Sequence, residues 1–164
     1  MTDIDLYVDL IKNGEVLGVG LGSSPEEWES RLGDDYLDDQ RKGQWRRDYG
    51  LIEVSFQKRE KKWECFGFSA QVHRLRPEKS GIVPGALERA YGRFELSPLF
   101  AELADRLDRE GLHIEELGSP SMGGFVRHRA RSSSFRAEVI SSRGEEDGHE
   151  LREILWSITI GRST

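Results

Sequence analysis

The stretch Asp48-Tyr49-Gly50-Leu51-Ile52-Glu53-Val54-Ser55-Phe56-Gln57, then Lys58-Arg59-Glu60-Lys61-Lys62, then Trp63 to Leu75, decides the fold. Ile52, Val54 and Phe56 alternate with Glu53 and Ser55, the period of two that sets one face of a strand against a core and the other in water. On the return, Phe66, Phe68, Ala70 and Val72 fall on one side, and Cys65, Ser69, Gln71 and His73 on the other. A charged segment without glycine separates the two runs, and the pattern predicts a β-hairpin. Tyr49, Gly50 and His73-Arg74 stand outside the alternation and read as residues that fix the hairpin's ends.

Upstream, Thr2-x-x-Asp5 is a capping-box variant, and Ile4, Val8 and Ile11 follow at helical spacing, with Leu6 and Leu10 widening the apolar face. A helix over residues 2–12 is expected, stopped by Asn13-Gly14. A short extended piece follows over residues 15–21. Ser24-Pro25-Glu26-Glu27 opens a second helix: serine caps, proline takes the first helical position and Glu27 reaches back to the cap. Trp28 and Leu32 share its apolar face, and Gly33 ends it. Residues 34–47 are polar and broken by Gly43, which predicts a surface loop.

Downstream, residues 76–85 hold Pro77, Gly81, Pro84 and Gly85 and read as a long connection within one domain, since neither half owns a complete core. Ser97-Pro98 opens a third helix, with Leu99, Leu103 and Leu107 on a stripe closed by Gly111. Residues 119–124 form a break. Strands are expected over residues 125–130, 135–141 and 154–160, with a polar turn over 143–149. The sum is an α+β domain spanning residues 1–164: a mainly antiparallel sheet of about five strands, with two or three helices packed on it.

The chain of 164 residues is 36% hydrophobic and 33% charged, with a formal net charge of −6, which argues against a general nucleic-acid binder. No apolar run reaches the ~20 residues of a membrane span, and no basic region followed by an apolar run marks a signal peptide. Cys65 is the single cysteine, so no intrachain disulfide and no cysteine-cluster zinc site can form. A cytoplasmic protein without cofactor or metal is expected.

Catalytic motifs are missing. Gly18, Gly20 and Gly22 precede a capped helix, but no Lys-Ser/Thr pair follows, and Glu26 and Glu27 would repel a phosphate there. His73, His113, His128 and His149 have no partner at ligand spacing. His128 lies between Arg127 and Arg129, whose charge lowers its affinity for a proton. Ser121 and Ser132 to Ser134 lack a nucleophile elbow, and Cys65 beside Trp63 and Phe66 reads as packing. Glu53 and Glu64 fall on the hairpin's solvent side.

Charge is segregated. Glu26, Glu27, Glu29, Asp34, Asp35, Asp38 and Asp39 crowd one segment with Trp28 and Tyr36. Such a surface reads either as a solvated face or as a docking site for a basic protein, where aromatics supply the anchors. Arg41, Lys42, Arg46 and Arg47 surround Trp45, and Arg127, Arg129 and Arg131 share one strand face. That arginine face is the alternative site, for an anionic ligand, or a pairing surface for the acidic segment within the fold or in a homodimer.

The first half of the chain resembles small immunity-protein-like families encoded beside polymorphic toxins in bacteria. The resemblance rests on Gly14, Val16-Leu17-Gly18, Ser24-Pro25-Glu26-Glu27-Trp28, Leu32-Gly33, the run from Asp48 to Phe56 and His73-Arg74-Leu75. It implies a non-enzymatic protein that neutralises a cognate toxin. Its expected contact residues are Glu26, Glu27, Trp28, Asp34, Asp35, Tyr36, Asp38 and Asp39.

Overall fold

The computed structural model describes residues 1–77, 81–118, 124–132, 134–143 and 152–163. The expected loop at 119–124, the turn at 143–149, Ser121, Ser133 and His149 lie wholly or mostly outside the described residues. The elements are α1 (Asp3–Asn13), β1 (Glu15–Val16), β2 (Val19–Gly20), α2 (Pro25–Leu32), β3 (Leu37–Arg41), β4 (Gln44–Asp48), β5 (Ile52–Arg59) and β6 (Lys62–Ala70). A single 3₁₀ turn, Val72–Leu75, leads to α3 (Gly85–Tyr91), α4 (Phe100–Arg109), β7 (Ile114–Glu116), β8 (Phe125–Ala130), β9 (Phe135–Arg143) and β10 (Glu153–Arg162).

The α+β class stands, but its inventory is corrected. An eight-stranded sheet in the order β3-β4-β5-β6-β10-β9-β8-β7 replaces the expected five strands, and a two-stranded ribbon β1-β2 and four α-helices accompany it. Every pairing is antiparallel. Two meanders, β3 to β6 and β7 to β10, are joined through their last strands. The expected loop over 34–47 is the β3-β4 hairpin. Leu37–Arg41 is an edge strand exposed at every position, so it carries no apolar alternation to betray it. The helix α3 begins at Gly85, the last residue of the proline- and glycine-rich connection, and runs over a segment for which the sequence pattern predicts no element.

Helix starts follow local chemistry. At α1 the Asp5 carboxylate accepts from the Thr2 N–H at 2.7 Å, and at α2 Ser24 and Glu27 exchange bonds at 3.1 and 2.7 Å. The helices lie on one face of the sheet. There Leu6, Leu10, Trp28, Leu87, Leu103 and Leu107 meet Val54, Phe56, Phe68, Ala137, Val139, Ile158 and Ile160 in one buried cluster. Among the described residues no helix covers the opposite face.

Two β-bulges set which side chains join that core. Phe56 pairs with Cys65 while Ser55 pairs with Gly67, so Phe66 is an extra residue. The insertion flips the alternation, and Cys65 joins Phe68 and Ala70 on the buried side. On β10, Leu155 pairs with Ser141 and Ser157 with Ile140, leaving Trp156 extra. The β5-β6 connection is also tighter than the charged run suggests. Glu60 and Lys61 alone turn the chain, both with positive φ (52° and 67°), the backbone of a two-residue type I′ hairpin.

Candidate functional site

The two groups of residues left unexplained by burial, the acidic segment and the hairpin's ends, meet at one place. Asp35, Tyr36 and Leu37 face Asp48, Tyr49, Gly50, His73 and Arg74 across a cavity of about 650 Å³, closed on its third side by Pro77, Gly81 and Ile82.

The floor is organised by Arg74 and Gly50. The Arg74 guanidinium donates to Asp48 Oδ1 at 2.9 Å, to the Gly50 carbonyl at 2.9 Å and to Glu53 Oε2 at 3.2 Å. Asp48 in turn accepts from the Gly50 N–H at 2.7 Å. Gly50 holds φ +94°, and a Cβ there would lie 2.3 Å from the Ile82 carbonyl oxygen. Only glycine meets both demands. His73 stacks on Trp156 with ring centres 4.8 Å apart, and so ties the 3₁₀ turn to the far meander.

The wall is organised by Arg47, which is 3% exposed. Its Nε donates to Asp38 at 3.0 Å, and Nη1 donates to the Pro25 carbonyl at 2.8 Å and to the Tyr49 hydroxyl at 3.3 Å. Tyr36, Trp45, Tyr49 and Phe56 surround it, with its Cζ 3.8 Å from the Tyr36 ring centre. Burial alone would lower the Arg47 pKa, but Asp38 and Tyr49 outweigh it and the value is raised. The Tyr36 hydroxyl donates to Glu29 at 2.6 Å, and that carboxylate pushes the phenol up to about 12.

The eight sequence-derived contact residues therefore divide. Trp28 is wholly buried against Phe68 and cannot touch a partner, a correction to its expected role. Glu27 closes the α2 cap, Asp38 neutralises Arg47, and Tyr36 packs on that guanidinium. Asp39 meets Arg41 at 3.4 Å where both are well exposed. The carboxylates of Glu26, Asp34 and Asp35 make no ion pair or hydrogen bond among the described residues. Sequence reading missed Leu37, which is 77% exposed and lines the cavity together with Asp35.

The arginine face is largely satisfied from within. Arg127 donates to both oxygens of Glu138 at 3.1 and 3.0 Å, and Arg131 meets Glu115 at 3.5 Å. Arg129 is exposed and has no acidic partner among the described residues. Glu53 and Glu64 pair with arginines: Arg46 and Arg74 for the first, Arg59 and Arg162 for the second.

Motif spacing also concealed a serine–histidine–glutamate cluster. His128 Nε2 lies 3.0 Å from Ser141 Oγ and 3.5 Å from Glu153 Oε1, and Ser141 donates to Glu153. Ser141 is wholly buried and Phe100 stacks over the imidazole at 4.2 Å, so the hydroxyl offers no route to a substrate. Burial is the main force lowering the His128 pKa, ahead of any neighbouring arginine. Burial likewise pushes the Cys65 thiol up to about 12, which holds it protonated and unreactive.

No family model matches the chain, and comparison with curated proteins and with solved structures gives no significant match. Among the described residues no helix is long and apolar enough to cross a membrane.

Proposed function

We propose that this chain is a non-enzymatic protein-binding domain that recognises a basic partner through the β3 edge and the loop before it, acting as an immunity protein against a cognate toxin in the cytoplasm. The observation that carries the reading is Leu37, an exposed leucine at the mouth of the 650 Å³ cavity, flanked by the unpaired carboxylates of Asp34 and Asp35. An apolar anchor preceded by two unpaired carboxylates supports an interface with a hot spot and an attractive acidic side. The nucleophile-like groups support a non-enzymatic role, since Cys65 and Ser141 are sealed in the core. The lone unpaired thiol is also in keeping with a reducing compartment.

The test is affinity capture from the native host by the wild-type chain and by a triple variant, Asp34→Lys, Asp35→Lys and Leu37→Ser. The wild type should retain a protein that arrests growth when expressed alone, and co-expression of the chain should relieve the arrest. The triple variant should lose both capture and relief while keeping its circular dichroism. Equal capture by the two proteins would remove this surface from consideration.

A further inference from the structure

The uncovered face of the sheet holds a second concavity, of about 740 Å³, over the seam where the two meanders join. Its floor is low because β6 and β10 carry little there. Gly67 is the register partner of Gly161 and Ser69 of Thr159, with Ser55 opposite Gly67 on β5. Neither glycine is required by the backbone or by packing. Both have ordinary extended φ; a Cβ on Gly161 would meet nothing within 4 Å, and one on Gly67 only the Ile160 oxygen at 3.5 Å. Glycine inside a strand weakens it and commonly marks the close approach of something else.

The walls supply the charge. Arg46 from β4, Arg136 from β9 and Arg162 from β10 line the trough, against Glu53 alone, together with Gln57, Gln71 and the half-buried Phe66 of the bulge. Arg46 meets Glu53 at 3.5 Å and Arg162 meets Glu64 at 2.6 Å. Arg136 is exposed and has no acidic partner among the described residues. Its charge and fork of donors are uncommitted, in a chain whose net charge is −6.

We infer that this trough binds a phosphate monoester of small-molecule size, its phosphoryl group on Arg136 and its organic body along the glycine floor towards Phe66. A carboxylate is planar and is satisfied by one fork. The guanidiniums here come from three strands, with the hydroxyls of Ser55, Ser69 and Thr159 below, a divergent set of donors that suits three tetrahedral oxygens. Glu53 and Glu64 hold two of the three guanidiniums, which leaves Arg136 as the uncommitted positive charge for the phosphoryl group, and the volume lies within the range of small-ligand sites. This site is on the other side of the sheet from the Arg47 cage and does not depend on the partner surface at Leu37.

The probes are phenyl phosphate, inorganic phosphate and benzoate, titrated by nuclear magnetic resonance into the full chain up to roughly 10 mM. Phenyl phosphate should give saturable shifts at the amides of Gly67 and Gly161 and bind more tightly than inorganic phosphate or benzoate. Arg136→Ala should weaken it by about tenfold or more, the loss expected of one charged hydrogen-bonded contact. Gly161→Leu, which has open space for its side chain and raises strand propensity, should keep or raise the melting temperature while abolishing the shifts. Absence of saturable binding, benzoate binding as tightly as phenyl phosphate, or undiminished binding in both variants would each overturn the assignment.

Discussion

The guanidinium of Arg47 lies 3.8 Å from the centre of the Tyr36 ring and holds the Asp38 carboxylate at 3.0 Å. Two residues of the acidic segment are thereby spent inside the fold, and the segment's residues acquire opposite expected phenotypes. Arg47→Met removes a buried charge that Asp38 and two oxygen acceptors depend on. It should cost about 2–4 kcal/mol in urea unfolding, since breaking one partner of a buried pair leaves the other uncompensated. Asp38→Asn should destabilise in the same assay, whereas Asp34→Asn and Asp35→Asn should stay within about 0.5 kcal/mol of wild type.

Gly50 is held by two independent constraints, its φ of +94° and the Ile82 carbonyl 2.3 Å from where a Cβ would stand. Gly50→Ala should therefore cost at least about 2 kcal/mol. Hydrogen exchange should locate the damage at the Leu51 amide, which donates to that same Ile82 carbonyl at 2.7 Å.

The β5-β6 turn places Glu60 and Lys61, both non-glycine residues, in the left-handed region. Lys61→Gly relieves one of these and should stabilise the protein by about 0.5–1 kcal/mol, less the extra entropy glycine brings to the unfolded chain. A rise in thermal midpoint without change in denaturant slope would be the expected record.

His128 is 4% exposed, with Phe100, Ser141 and Glu153 around it and with Glu116 and Arg143 contributing to its field. Its folded pKa lies below the ordinary 6.5, so the unfolded chain takes up the proton first. Stability from this residue is complete above about pH 6.5 and is lost as pH falls below it, by at most about 1.4 kcal/mol per unit. Urea unfolding at pH 7.5 and 5.5 should show a larger acid loss in wild type than in His128→Gln. Equal losses would mean that other groups carry the dependence.

Trp28 should behave as a core residue. Trp28→Ala should cost about 3–5 kcal/mol, because the ring is fully buried edge-on to Phe68. A loss of partner binding in that variant without loss of stability would contradict its position.

The strands with one greasy face were legible in sequence, because burial writes itself as alternation. Ile52, Val54 and Phe56 carry it, as do Phe135, Ala137 and Val139. The strands β3 and β4 were not, since an edge strand buries little and the inward positions of β4 are a tryptophan and an arginine. Their signal lay in symmetry of charge. Asp39 pairs with Arg46 and Asp38 with Arg47 about the Lys42-Gly43 turn, a mirrored arrangement that hydrophobic periodicity ignores. The bulges at Phe66 and Trp156 were invisible because one inserted residue changes no local composition. The cavity at Leu37 joins segments far apart in the chain, and only the strand order brings them together.

Among the described residues the strands of the two meanders pair only where β6 meets β10, and across that seam Arg162 holds Glu64 from 98 positions away in the chain. Each meander is built from neighbouring hairpins and can organise quickly, but the seam must wait for a long loop to close. Its formation is therefore expected to be the slow step of assembly, which the refolding rate of an Arg162→Ala variant would report. A molecule lying along the trough would span both halves at that line. It would act as a clasp, and its presence would be read most directly in how slowly the protein comes apart.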